Sequence, residues 1–307
     1  MVKSREYINE GYAFVIDLDL EKFFDKVDHA ILMARLTRKI TDSRVLHLIR
    51  QFLQAPMLLD GKLIKRREGM PQGGNLSPIL ANILLDDLDK ELTRRGHRFV
   101  RYADDISIYV RSKRAALRVQ ERITYFISKC LKLSVNESKS SICRPNKLEL
   151  LGYGFVPSYK KGERGVWRLR ISPKSYDKFK RRLKYLTRKT VPISTEERIA
   201  RLNKVIRGWL QYFKYGTGYQ KLIAIDGWLR NRIRYCIWHH WKKPNKRMRS
   251  LIRLGKDPGQ AYAWSRTSLG GWATACSPIL RTTITKSRLT RKGLLSLVDY
   301  YLKVRIV

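Results

Sequence analysis

Apolar positions recur along this chain with two periods, and the second takes over near the middle. Tyr12 to Leu18 is a short aromatic and β-branched run after Gly11, the pattern of a buried strand. Asp28 to Arg38 and Ser43 to Leu53 have helical spacing. Leu58 to Arg66 predicts a hairpin around Asp60-Gly61. Ser77-Pro78 predicts an N-cap with proline at the first helical position, and Leu80, Ile83, Leu84, Leu88 and Leu92 carry that helix to about Arg95. Phe99 to Val110 is apolar on both sides of Asp104-Asp105, which predicts two strands meeting at a tight acidic turn. A helix from Ala115 to Leu131 and a strand pair from Leu148 to Val156 follow.

Beyond residue 157 the pattern is helical. The polar, glycine-bearing stretch 157–165 marks the boundary, and a second loop is expected at Gly255–Gly259. Ser194 and Glu197 form a capping-box signature. Ile199, Leu202, Ile206, Trp209 and Phe213 then recur every three or four residues up to Gly216 or Gly218. Another helix is expected from Tyr219 to Trp241, with Arg230, Arg232 and Arg234 on its polar side.

Charge changes this picture. The 307 residues hold 65 Lys and Arg against 26 Asp and Glu, a net charge of +39. Self-repulsion of that size points to a polyanionic partner, nucleic acid first and an anionic membrane second. No apolar run reaches the length of a membrane span and no signal pattern opens the chain, so a spanning protein is not expected. Residues 1–150 carry 28 bases and 19 acids, whereas residues 151–307 carry 37 bases and only 7 acids. The asymmetry suggests carboxylate chemistry first and polyanion binding second. Tryptophans and tyrosines interleave with the bases of the second half; they suit stacking on unpaired bases or, for most of them, helix core. Cys130, Cys143, Cys236 and Cys276 lie far apart and form no zinc motif, so they are expected to be reduced thiols of an intracellular protein. His239-His240 is expected at an amphipathic helix end, not in a metal site.

The Asp104-Asp105 pair leaves two readings open. It is an acidic surface turn, or it is a pair of carboxylates that lose hydration and need a cation or a proton. The apolar flanks weigh against a solvated turn. Asp17 and Asp19 close the first strand, and if the two strands are neighbours, Asp19 and Asp104 share a site. Three carboxylates around two Mg²⁺ ions about 3.5–4 Å apart suit in-line phosphoryl chemistry. The glycine-rich segment Gly69 to Pro78 lies between them in sequence and allows close backbone approach to a ligand.

The order Asp19, Phe24-Asp25, then Gly-x-Pro-Gln-Gly-x-x-x-Ser-Pro at 69–78, then Tyr102-Ala-Asp-Asp105, resembles the polymerase motifs of reverse transcriptases. Lys139 to Ile142 is similar to the lysine motif that follows, and Leu150 to Phe155 to the primer-grip hairpin. Arg201 to Gly216, Leu229 to Arg234 and Leu297 to Lys303 resemble the thumb, or maturase domain, of group II intron-encoded proteins. This resemblance implies an α+β chain: a palm with an antiparallel sheet and packed helices at 1–157, then a basic α-helical thumb/maturase domain at 158–307. It implies that Asp19, Asp104 and Asp105 bind two Mg²⁺ and that Lys139 protonates the leaving pyrophosphate. By the same resemblance, Leu20, Phe24, Pro71, Gln72, Gly73 and Tyr102 contact nucleotide and template, and Phe24 disfavours ribonucleotides. Leu151, Gly152 and Tyr153 form the primer grip, while Arg207, Lys214, Arg230, Arg232 and Arg234 bind RNA.

The implied function is RNA-directed DNA synthesis together with a maturase role in intron splicing and mobility. The implied partners are group II intron RNA, an RNA template with a DNA primer, and deoxynucleoside triphosphates, with no membrane. The implied compartment is the bacterial cytoplasm or an organelle. The first strand begins close to Met1, so the fingers are expected to be missing, as is any cysteine/histidine endonuclease domain. Two rival readings follow: an inactive RNA-binding maturase, and a palm half whose fingers come from a separate chain.

Overall fold

In the computed structural model, which describes residues 1–59, 62–64, 66–163 and 165–305, the period-two segments pair in register. The chain opens with α1 (Val2–Asn9) and β1 (Phe14–Leu18). A 3-10 turn, Phe23–Asp25, leads to α2 (His29–Leu36), α3 (Ser43–Gln54) and the hairpin of β2 (Met57–Leu59) and β3 (Lys62–Ile64). The expected turn at Asp60-Gly61 lies outside the described residues. Then come α4 (Ser77–Arg94), the hairpin of β4 (Arg98–Tyr102) and β5 (Asp105–Val110), α5 (Lys113–Cys130) and β6 (Ser141–Cys143). Strands β4, β5, β1 and β6 form one antiparallel sheet in that order. β7 (Glu149–Leu150), β8 (Tyr153–Pro157) and β9 (Trp167–Ile171) form a second sheet.

The chain divides into two compact units. One holds residues 1–150 and 154–168; the other holds 151–153 and 169–307. The sequence suggested a single cut after residue 157.

In the first unit the two faces of the sheet do different work. Ile16 and Leu18 of β1 and Ile106 and Ile108 of β5 are buried in a core with Leu80, Leu84 and Leu88 of α4 and Ile123 and Ile127 of α5. Strand alternation sends Val15 and Asp17, with Ser107 and Tyr109, to the opposite face. There α1 covers one end: the Tyr7 ring lies 5.5 Å from the Tyr109 ring. The carboxylates occupy the other end. Neither α1 nor β6 was expected from the sequence. Also, Ser77 is not the cap of α4: it is the first helical residue, and its Oγ donates to the Pro71 carbonyl at 2.5 Å. A serine hydroxyl satisfied by the preceding loop is not free to receive a helix N–H.

The second unit is built from α6 (Pro173–Leu186), α7 (Thr195–Tyr212), α8 (Tyr219–His240), α9 (Pro244–Arg253), α10 (Pro258–Ser265), α11 (Gly271–Cys276), α12 (Pro278–Arg281), α13 (Lys286–Arg291) and α14 (Leu297–Val304). Ser194 caps α7 as its sequence predicts, accepting from the Glu197 N–H at 3.0 Å. Trp209 is half-buried: it stacks on Phe179 at 4.2 Å and abuts Phe213 at 4.6 Å. The expected loop at 255–259 shrinks to a turn, because Asp257 caps α10 through the Gln260 N–H.

Candidate active site

The site grows out of register. Asp17 pairs with Ser107 and Leu18 with Ile106, so Asp19, just past β1, and Asp105, the first residue of β5, lie at the same end of the sheet, and alternation along β5 puts Asp105 on the Ser107 face. The Ser107 hydroxyl donates to Asp17 Oδ1 at 3.3 Å. Burial raises the Asp17 carboxyl above its ordinary value, Ser107 partly opposes this, and the charges of Asp105 and Asp19 add to the rise. Loss of hydration, then the charges of Asp104 and Asp19, raise Asp105 as well. Like charges thus crowd this end of the sheet.

Tyr102 pairs with Asp105, so the hairpin loop is Ala103-Asp104 alone, and Asp105 belongs to the strand. Ala103 takes φ +54°, a conformation that a two-residue hairpin favours and that alanine adopts at a cost. Arg101 holds the loop. It donates to the Ala103 carbonyl at 3.0 Å and to Asn82 at 2.9 Å, and pairs with Asp89 of α4 at 2.5 Å. Tyr102 is 60% exposed beside it.

The segment after α5 closes on β1 from the other side. The Asp19 carbonyl accepts from the Asn136 N–H at 2.8 Å, the Asp19 N–H donates to Ser140 Oγ at 3.1 Å, and Leu20 bridges to Val135. These bonds bring Lys139 Nζ to 3.5 Å from Asp19 Oδ2.

A third segment meets the 3-10 turn. The Gly69 N–H donates to the Val27 carbonyl and the Met70 N–H to the Phe24 carbonyl, each at 2.7 Å. Gly69 has φ +78°, and a Cβ there would lie 2.6 Å from the Asp25 carbonyl oxygen, so only glycine fits. Gln72 Nε2 donates to Asp25 Oδ1 at 2.9 Å. Phe24 is half-buried against the core, while Gln72 and Gly73 are exposed.

Other expected residues have other surroundings. The Leu20 side chain is only 3% exposed and packs in the core, while its backbone bridges to Val135. Pro71 contributes a carbonyl that Ser77 occupies. The primer-grip residues belong to the second unit: Leu151 has φ +52°, Gly152 packs under Phe213, and the Tyr153 hydroxyl donates to the Tyr212 carbonyl at 2.5 Å.

The arginines of α8 all have partners within the protein. Arg234 is 6% exposed and donates to the Ile284 carbonyl at 2.8 Å and to Asn231. Burial and its neighbours Arg230 and Arg281 lower its guanidinium to about 10. It is no surface RNA contact. Arg230 pairs with Asp226, and Arg232 donates to the Thr187 carbonyl at 2.6 Å. Few acids are near, but backbone carbonyls accept just as well. Arg207 is exposed, and Lys214 Nζ lies 5.3 Å from the Tyr215 ring centre.

A sequence profile described as "Reverse transcriptase (RNA-dependent DNA polymerase)" matches residues 3–155. One described as "Group II intron, maturase-specific domain" matches residues 176–255. The chain belongs to the group II intron-encoded reverse transcriptase/maturases. A similar member is the group II intron-encoded protein LtrA of Lactococcus lactis subsp. cremoris, 28% identical over 47% of this chain and 35% of that protein. Protein YkfC of Escherichia coli strain K12 is 29% identical over 43% of this chain and 44% of that protein. The chain thus spans less than half the length of these relatives. A telomerase from Candida tropicalis superposes with a TM-score of 0.48 at 12% identity, covering 100% of this chain and 56% of that one. The α+β class of the family is the class of this fold, and no helix among the described residues is long and apolar enough to cross a membrane.

Members of this family work with divalent metal ions, and the donors here are of the right kind. Carboxylate oxygens suit Mg²⁺, and the crowding at Asp17, Asp19 and Asp105 is what a cation relieves. Among the described residues, no three acidic, histidine or cysteine side chains converge tightly enough to cage an ion as they stand. Lys139 supplies the counter-charge at Asp19 instead.

Proposed function

We propose that this chain extends a DNA primer on an RNA template, with Asp19, Asp104 and Asp105 as the metal-binding carboxylates, and that its basic second unit holds intron RNA. The observation that carries the reading is the register of β1 on β5, which brings the Asp19 end of β1 to the Asp105 end of β5 at the Ala103-Asp104 loop, with Lys139 at 3.5 Å from Asp19. Two bound Mg²⁺ ions would activate the primer 3′-hydroxyl and neutralise the triphosphate. The protein's own groups do the rest. Arg101 fixes the loop that presents Asp104, and Ser140 and Asn136 fix the backbone of Asp19. Lys139, 69% exposed, is free to swing from Asp19 to the leaving pyrophosphate and give it a proton. Phe24, fastened through its carbonyl to Met70, sets the floor of the nucleotide site, and Gln72 and Gly73 meet the template or the incoming deoxynucleotide.

The test is Mg²⁺-dependent incorporation of dTTP on polyriboadenylate primed with oligodeoxythymidine. The parent should extend the primer, Asp105→Asn should lose activity by at least about a hundredfold, and Lys139→Ala should slow incorporation with little change in template affinity. An Asp105→Asn variant as active as the parent sinks this assignment. Intron RNA binding without any incorporation by the parent would favour a maturase that splices without polymerising.

A further inference from the structure

The second unit carries an open groove of about 710 Å³ that the reverse transcriptase reading does not use. It is lined by Asp177, Lys180, Arg181 and Lys184 of α6, Trp228 and Arg232 of α8, and Trp272 of α11. The tryptophans of this unit differ in their surroundings. Trp238 is 2% exposed and is core, and the half-buried Trp209 is packed by the rings of Phe179 and Phe213. Trp272 is 40% exposed, and Trp228 is half-buried.

Cations surround both of these groove tryptophans. Lys180 Nζ lies 5.3 Å from the Trp228 ring centre and Arg232 Cζ 5.7 Å from the Trp272 ring centre. Tyr235 meets Trp272 edge-on at 6.1 Å and fixes its plane. Arg232 is itself fixed, since its Nε donates to Thr187 Oγ1 at 3.1 Å and one terminal nitrogen to the Thr187 carbonyl at 2.6 Å. Carbonyls orient a guanidinium without cancelling its charge. The other terminal nitrogen makes no hydrogen bond among the described residues. Asp177 is the one acid of the lining. Along α6 the buried face is Tyr176, Phe179, Leu183 and Leu186, and the outward face carries Lys178, Lys180, Arg181, Arg182 and Lys184.

Oriented rings rimmed by uncancelled positive charge fit a ligand with flat π faces and a chain of anions. We propose that this groove binds an unpaired stretch of RNA, with bases against Trp272 and Trp228 and phosphates on Lys180, Arg181 and Lys184. A duplex hides its base faces and offers only phosphates, so the rings discriminate single strands from double. The proposal rests on the reading of the second unit as RNA-binding, and it is independent of polymerisation.

The test measures affinity of the full chain for four probes: oligouridine, oligodeoxythymidine, an RNA duplex of equal length and inorganic polyphosphate. Trp272→Ala should weaken oligouridine binding roughly 5- to 150-fold, the range of one stacking contact, and leave duplex and polyphosphate binding within about twofold. Trp272→Phe should restore much of the loss. Lys180→Gln with Lys184→Gln should weaken all four probes and flatten the oligouridine salt slope by up to about 1.4. Unchanged thermal unfolding of Trp272→Ala separates lost stacking from lost structure, and Trp228→Phe serves as a second reporter if that variant unfolds. Equal loss for oligouridine and polyphosphate, or no loss for either, overturns the proposal while leaving RNA binding by the unit intact. A Trp272-dependent preference for oligodeoxythymidine overturns the choice of RNA. Competition by polyglutamate that Trp272→Ala abolishes would show an acidic protein segment as the occupant instead. Failure of the parent to bind any RNA probe would overturn the RNA-binding reading itself.

Discussion

The carboxylate end of the first unit and the arginine-rich helices of the second face opposite versions of one problem. In the first, Asp17, Asp19 and Asp105 crowd one sheet end, and the cation held among them is the exposed Lys139. Burial first, and the neighbouring carboxylates after it, hold the Asp17 and Asp105 carboxyls above their ordinary values. In the second, 37 bases meet 7 acids between residues 151 and 307, yet Arg198, Arg232 and Arg234 are all held in place. Their partners are main-chain carbonyls at helix ends, which have unused lone pairs and no net charge. One region keeps its charge unbalanced at a place where a ligand can balance it. The other turns part of its charge into structure and leaves the remainder on its surface.

The largest expected effect comes from breaking the carbonyl solution. Arg198 is 1% exposed and donates to the carbonyls of Leu186 at 2.5 Å, Arg188 at 3.3 Å and Val191 at 2.9 Å. Arg198→Met keeps the stem and strands three acceptors, which should cost about 3–5 kcal/mol in a urea titration. A loss below about 1 kcal/mol would mean that these carbonyls find other partners and that arginine is not structural here.

Next is Gly69→Ala in the first unit. A left-handed alanine costs about 1–2 kcal/mol, and its Cβ would meet the Asp25 and Phe24 carbonyls at 2.6 and 2.8 Å. A total loss of about 2–4 kcal/mol is expected, with faster hydrogen exchange at the Met70 N–H that bonds Phe24. Wild-type exchange at Met70 would show that the loop is not fastened to the 3-10 turn.

Arg101→Ala should cost less, about 1.5–3 kcal/mol, because it leaves Asp89 partly buried without its cation. Its sharper readout is functional. The Ala103 carbonyl loses its brace, so primer extension should fall by more than the stability loss explains, with Arg101→Lys giving partial rescue. Activity that tracks stability alone would reduce Arg101 to a scaffold residue.

The legibility of these features in the sequence follows the same division. The two acidic strand ends were readable as such, and pairing of β1 with β5 brings them to one end of the sheet; the sequence set Asp19 beside Asp104, whereas Asp104 lies in the loop and Asp105 opens β5. The Ser194 cap was readable because the motif is local. β6 was not, since Ser141–Cys143 is three residues long and draws its stability from pairing with β1. Nor was β9, where Trp167, Leu169 and Ile171 alternate with arginines inside a stretch that composition marked as helical. Arg234 misled for a physical reason. Counting nearby acids asks whether a charge can be neutralised, whereas burial asks only whether its N–H groups can be bonded. Arg234 answers the second question through Ile284, fifty residues away in sequence.

The smallest effect is expected at Asp17, and its sign is informative. The folded state raises this carboxyl, through burial first and then the charges of Asp105 and Asp19. A raised acid binds more protons folded than unfolded. Its contribution to stability is therefore fully present below the ordinary aspartate value of about 3.9 and is lost as pH rises through the folded value. Asp17→Asn removes the charge and keeps an oxygen to accept from Ser107. The variant should be more stable than the parent at pH 7, by a few tenths to about 1 kcal/mol, and the gap should close as both are taken toward pH 3. Mg²⁺ should narrow the gap at pH 7, because an ion bound at Asp19 and Asp105 relieves in the parent the repulsion that the variant has already lost. The measurement is a set of unfolding midpoints over pH with and without Mg²⁺. A parent more stable than the variant at neutral pH would mean that Asp17 has a favourable partner and does not share in the crowding. A gap indifferent to Mg²⁺ would place the ion, if one binds, away from these strands.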